Sequence, residues 1–199
     1  MTPVIDRAID WAAAALTPIE AGDLARLNAW QNDPDIRDMI MGFRGPVRLE
    51  TTAEWIRNLA DQNLKSRAVF AIRPCGEIGD EIRGVIQLHN IDWVLRTAIL
   101  GVYVGEAGDR GGGIGGAAVA LVLDYAFNGL DLWRVSLEVI ASNARARRLY
   151  ERLGFTHEGS LREAYQRGGR REDIDVLGLL KREWAFAPPA GARRLTCPA

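Results

Sequence analysis

Residues 105–127 read GEAGDRGGGIGGAAVALVLDYAF, a glycine-rich loop running directly into an apolar helix. From Arg110 to Gly116, five of seven residues are glycine. Glycine loses more conformational entropy on ordering than any other residue, so this density in front of a helix is costly unless the loop binds something. The alternative is a merely flexible loop. Physically the segment is an anion cradle: glycines let the backbone approach a phosphate, and the helix start adds unpaired N–H groups and the positive end of its dipole. The helix itself, AAVALVLDYAF (117–127), carries Asp124 as its only charge. A helix apolar all round is covered on both sides, and Asn128-Gly129 is its expected C-cap.

Working upstream, RAVFAIR (67–73), RGVIQLHN (83–90) and TAILGVYV (97–104) read as an antiparallel meander. Before them, Leu24, Leu27 and Trp30 recur at helical spacing and stop ahead of Pro34. Thr51 and Glu54 have capping-box spacing in front of Trp55, Ile56 and Leu59. A first strand is expected near residues 11–16, although Ala12 to Ala15 favour helix by propensity. Downstream, RVSLEVI (134–140) alternates, with Val135, Leu137 and Val139 on one face. NARARRLYERLGF (143–155) is an amphipathic helix with Ala146, Leu149, Tyr150 and Leu153 on one side, ending at Gly154. FTHEGSLREAY and DIDVLGLL read as two last strands around a Gly168-Gly169 turn.

At 199 residues the chain suits one domain, taking roughly 150 residues per domain. Lys plus Arg number 25 and Asp plus Glu 26, a net charge of −1. That balance argues against a general nucleic-acid or anionic-membrane binder, which needs a basic excess. It conceals a local one: residues 143–171 hold eight arginines (145, 147, 148, 152, 162, 167, 170 and 171) against Glu151, Glu158 and Glu163. Cys75, Cys197, His89 and His157 form neither a disulfide framework nor a metal-ligand pattern. The start, MTPVIDRAIDWAAAAL, is interrupted by Asp6 and Asp10 and does not read as a signal peptide. No run approaches the roughly 18 apolar residues of a membrane span. The expectation is a protein of the reducing cytoplasm, with an extension at 1–10, one domain at 11–184 and a disordered tail at 185–199.

Three kinds of chemistry use a glycine loop before a helix. A nucleoside triphosphate loop needs Gly-Lys-Ser/Thr, which is absent. A dinucleotide-dependent oxidoreductase is the second: Gly111, Gly113 and Gly116 match G-x-G-x-x-G, and Glu138 lies near the ~20-residue offset of a ribose-binding acid. Against it, six residues separate Val104 from Gly111 and no βαβ series precedes the loop. The third involves more of the chain. Arg110, Gly113 and Gly115 fit Gln/Arg-x-x-Gly-x-Gly/Ala, and Asn143, Ala146, Leu149-Tyr150 and Gly154-Phe155 follow in order. On these motifs the chain resembles the GNAT superfamily of N-acetyltransferases. EGSLREAY, DIDVLGLLKREW, NAWQNDPDIR and GVIQLHNID resemble its branch of ribosomal-protein and spermidine N-acetyltransferases. The resemblance spans about residues 11–184.

The resemblance implies an α+β fold of α/β/α layers: a mixed, mostly antiparallel seven-stranded sheet with flanking helices. Strands 97–104 and 134–140 would splay around the pantetheine arm of acetyl-CoA, with backbone groups of Val102, Tyr103 and Val104 bonding that arm. Arg110, Gly111, Gly112, Gly113, Ile114, Gly115 and Gly116 would hold the pyrophosphate, and Asn143, Ala146 and Arg148 would add further cofactor contacts. Tyr150 corresponds to the family tyrosine that bonds or protonates the departing thiolate, general-acid work; a core tyrosine is the other reading of that residue. Asn143 can also cap its helix. The base that takes the acceptor's proton is Glu138, His89 or a chain of waters. Cys75 has no paired base nearby, so direct transfer to a primary amine in a ternary complex is expected, without an acetyl-cysteine and without a metal. A non-catalytic acyl-CoA-binding regulator on the same fold is the competing reading. Acceptor contacts are expected from Arg44, Trp55 and Trp93. Arg44 and Arg48, with Glu50 the only acid in their loop, tilt the acceptor towards an anionic amine such as a nucleotide-linked amino sugar. A polyamine, an aminoglycoside or a protein N-terminus remains open, and the resemblance allows a homodimer.

Overall fold

The computed structural model describes residues 9–38, 40, 45–75 and 81–186. The expectations for residues 1–8, Arg44, Cys197 and most of the 185–199 tail fall outside them.

One mixed sheet runs in the order β1-β2-β3-β4-β5-β7-β6. Its strands are β1 (Ala15–Thr17), β2 (Arg67–Arg73), β3 (Gly84–Asp92), β4 (Thr97–Val104), β5 (Arg134–Ile140), β6 (Thr156–Arg167) and β7 (Arg170–Leu180). Every neighbouring pair is antiparallel except β4 with β5. A parallel pair needs a crossover, and the apolar helix α4 (Ile114–Asp124) provides it. Ala117 to Asp124 are all buried. They pack on the sheet face built by Ala68, Ile72, Ile86, Leu88, Leu100, Val135, Leu137 and Leu177, and α5 (Ala144–Arg152) joins that layer through Tyr150. Because side chains alternate along a strand, Ala71 and Val85 point to the other face. There they meet Leu27, Trp30 and Ile36 from α1 (Leu24–Asn32) and α2 (Pro34–Arg37). Trp55 and Ile56 of α3 (Leu49–Gln62) complete this layer. The three-layer, seven-stranded expectation holds.

Local departures have local causes. Residues 11–13 form a 3-10 turn, capped where the Ala12 N–H donates to Asp10 at 3.1 Å, so the first strand shortens to Ala15–Thr17. Helix α3 starts at Leu49 with Arg48 as N-cap, which leaves Thr51 and Glu54 inside the helix rather than as a capping box. Asn128-Gly129 is no left-handed cap. Tyr125–Gly129 make one π-type turn, and the Asn128 amide donates to Asp124 at 2.7 Å, giving that buried carboxylate a partner. The chain reverses instead at Asp131, φ +55°. Arg73 donates through Nη2 to both Asp23 oxygens (2.9 and 2.8 Å) and through Nε to Thr17 (2.9 Å), tying β1 and β2 to the turn before α1. Removing one partner of such a buried pair costs about 3–5 kcal/mol. At the far edge, β6 slips register against β7 twice, which blunts an exposed edge strand.

Candidate active site

Strands β4 and β5 pair only from Thr97 with Arg134 to Ile99 with Ser136. Beyond that point β4 stays bonded to β3 as far as Val104, and β5 to β7 as far as Ile140. The facing edges of Leu100–Val104 and Leu137–Ile140 therefore part, and their inward N–H and C=O groups have no strand partner. A cleft of about 1110 Å³ opens at this splay.

One end of the cleft is the glycine loop. Gly111 (φ +108°) and Gly113 (φ +92°) adopt conformations that L side chains rarely take, and Gly113 is the N-cap of α4. A Cβ on Gly116 would sit 3.2 Å from Leu149 and one on Gly115 3.4 Å from Val104, so these glycines bring the helix start close to β4 and α5. The first amides of α4 have no intrahelical acceptor, and Gly113, Gly115 and Gly116 at this helix start line the cleft. Arg110 pins the loop by donating to the carbonyls of Val104 (3.2 Å) and Gly105 (2.7 Å). Gly105 lies flat under the Trp30 indole, where a Cβ would be 2.0 Å from the ring, and Trp30 donates to Glu106 at 3.1 Å. The loop is thus moored to α1.

Ahead of α5, the Asn143 side-chain oxygen Oδ1 accepts from the Ala146 N–H at 3.1 Å, so this residue caps the helix while lining the cleft. Ala146, Leu149 and Tyr150 follow along the wall. The Tyr150 ring is buried against Phe155, and its hydroxyl has no partner among the described residues. Burial pushes its pKa up to about 12, so the phenol keeps its proton at neutral pH. Burial alone raises Tyr103 as well.

The cleft continues onto the face of β2 and β3, below α1 and α3. His89 stands opposite Arg67 in register and also lines the space, as do Glu138 and Trp55. Burial lowers the His89 pKa; Asn90 opposes this, Arg67 reinforces it and Glu138 opposes it. Of the expected site residues, the structure gathers Tyr150, Glu138, His89, Val102, Tyr103, Val104, Arg110, Gly111, Gly113, Gly115, Gly116, Asn143, Ala146 and Trp55 on one cleft. Gly112, Ile114 and Arg148 do not line it. Trp93 does not either: its indole staples the β3–β4 hairpin to the turn after α3, donating to Leu64 (3.0 Å) and Lys65 (3.2 Å) carbonyls. Arg48 is exposed beside Glu50. The arginine excess disperses: Arg147 pairs with Glu151 and Asp175, Arg167 with Glu172, and Arg145 and Arg152 reach the cleft. Gln31, Thr52, Arg67 and Gln87 also line it and carry no sequence signal, because each is one polar residue in an amphipathic element.

The acetyltransferase (GNAT) domain family matches residues 14–156. YdaF of Bacillus subtilis (strain 168), provisionally named a ribosomal N-acetyltransferase, is 32% identical over 175 residues, which is 85% of this chain and 90% of that protein. The spermidine N(1)-acetyltransferase of Vibrio cholerae serotype O1 is 26% identical over 170 residues, 85% of this chain and 94% of its own. The crystal structure of a V. cholerae spermidine N-acetyltransferase with CoA and spermine has the same fold, with a TM-score of 0.77 at 24% identity over 87% of this chain and 99% of that one. The splayed strands, the glycine cradle and these likenesses agree, and the chain belongs to the GNAT family of acetyl-CoA-dependent N-acetyltransferases.

Proposed function

We propose that this protein acetylates a primary amine by direct attack in a ternary complex, with Tyr150 as general acid and His89 as the proton acceptor. The Tyr150 hydroxyl, on a buried ring but accessible from the cleft and without a partner among the described residues, carries the reading. Acetyl-CoA supplies the acyl group as a thioester. The amides of the glycine loop and α4 favour its pyrophosphate, and Arg145 and Arg152 add positive charge at the same end. A neutral amine forms the new C–N bond as the C–S bond breaks. The Tyr150 O–H then donates to the leaving sulfur, and the proton of the acylated nitrogen passes towards His89, whose lowered pKa keeps it neutral and able to accept. Glu138, on the same wall, stabilises the imidazolium that results. The cytoplasmic setting belongs to the same proposal.

Tyr150→Phe tests it. Positioned proton transfer contributes about 10²–10⁴-fold, so kcat in a CoA-thiol release assay should fall by that order while the CoA Kd from calorimetry stays within about twofold. An unchanged kcat removes the acid role. Parallel double-reciprocal lines would overturn the ternary complex.

A further inference from the structure

One polar side chain on the acceptor side of the cleft has no part in the chemistry above. Gln31 on α1 is 3% exposed, yet it lines the cleft. A chain of hydrogen bonds beginning at a backbone carbonyl fixes which way its amide faces. The Val47 carbonyl can only accept, so the Asn28 atom 3.0 Å from it is the amide nitrogen. That nitrogen gives its second hydrogen to Thr52 Oγ1 at 2.9 Å. The buried Thr52 hydroxyl accepts there, and its own hydrogen, with no other acceptor among the described residues, goes to Gln31 Oε1 at 2.5 Å. With its oxygen committed, Gln31 presents Nε2 to the cleft, where no described residue accepts from it. The rest of the side chain is buried while Nε2 keeps its access to the cleft, so a donor pair held at a substrate wall is suited to an acceptor oxygen. Charge agrees. On this side of the cleft, Glu138 is the one carboxylate among the described lining residues and Arg67 faces it as a cation. A chain of several ammonium groups would find a single counter-charge.

We propose that Gln31 determines acceptor specificity: its Nε2 donates to a carbonyl or carboxylate oxygen on the substrate, so amines bearing such an oxygen are preferred over aliphatic polyamines. The proposal rests on the N-acetyltransferase reading. Gln31→Glu keeps an oxygen for Thr52 and replaces the donor by an acceptor of the same shape. The experiment compares kcat/KM for a dipeptide amide with a free amino terminus and for 1,5-diaminopentane, with acetyl-CoA affinity measured alongside. Wild type should favour the dipeptide amide. The variant should lose about tenfold on it through KM, gain on the diamine and bind acetyl-CoA as before. Thr52→Val, which frees the Gln31 amide to flip, should lose part of the preference, and Thr52→Ser should keep it. A wild-type preference for the diamine, or equal changes on both acceptors, overturns the proposal and leaves the enzymatic reading intact. Silence of the wild type with every amine tested, despite acetyl-CoA binding, overturns that reading and the proposal with it.

Discussion

His89 shows how position in a sheet tunes one proton. Its ring lies across from Arg67 in the β2–β3 register, half-buried, with Glu138 near enough on β5 to act in the opposite sense. Burial and the guanidinium favour the neutral imidazole; the carboxylate favours the charged one. If His89 accepts the proton, kcat/KM falls as pH drops through a pKa below the ordinary 6.5. Glu138→Gln removes an influence that raises that pKa, so the acid limb should move to lower pH. Arg67→Met removes one that lowers it, so the limb should move up towards 6.5. A pH–rate series on the two variants checks both directions, and shifts of the same sign would show that another group takes the proton.

At the scale of elements, the loop before α4 was legible because its cause is local: glycines at 111 and 113 supply backbone angles that other residues resist. Gly113 and Gly112 offer a matched pair for measuring this. A Cβ on Gly113 meets no atom within 4 Å, and on Gly112 the nearest is the Asp109 carbonyl at 3.9 Å, so neither substitution clashes. Only Gly113 has positive φ, at +92°. Alanine there should cost roughly 1–2 kcal/mol of backbone strain, or twist the N-terminal amides of α4 away from their anion. CoA affinity, read by calorimetry, should weaken about tenfold in Gly113→Ala and stay near wild type in Gly112→Ala. Alternation and glycine density likewise announced β2 to β5. The start of α3 and the end of α4 were not legible. Thr51 and Glu54 have the right spacing, yet Asn28 and Asn32 bind Val47 and set where the segment enters the helix. The Asn128-Gly129 pair is diverted by the hydrogen bond that Asn128 gives to the buried Asp124 side chain.

Across the whole molecule, the site exists only because distant pieces converge. Gln31 and Thr52 are 21 positions apart and meet where α1 packs on α3. Trp30 and Glu106, 76 positions apart, moor the cofactor loop to the acceptor layer. No periodicity encodes such meetings, which is why motifs pointed to the glycine loop and α5, whereas on the side under α1 and α3 the sequence pointed to Trp55 and His89 but to neither Gln31 nor Thr52. This construction predicts how ligands act on global stability. A ligand that binds only the folded state stabilises it by about 2.7 kcal/mol at a hundred times its Kd, and a chain of this size gains roughly 2–4 °C in Tm per kcal/mol. CoA should therefore raise Tm by about 5–10 °C, whereas NADH, which lacks the pantetheine arm that the β4–β5 splay accommodates, should leave it unchanged. CoA without its 3′-phosphate should give a smaller shift that depends less on salt, because it forgoes the charge supplied by Arg145 and Arg152 at the cleft. Arg145→Ala with Arg152→Ala should bring CoA down to the level of that analogue. If the double variant retains the full CoA shift, the 3′-phosphate is held by other groups, and an equal shift with NADH would mean that the loop reads pyrophosphate alone, without help from the splayed strands.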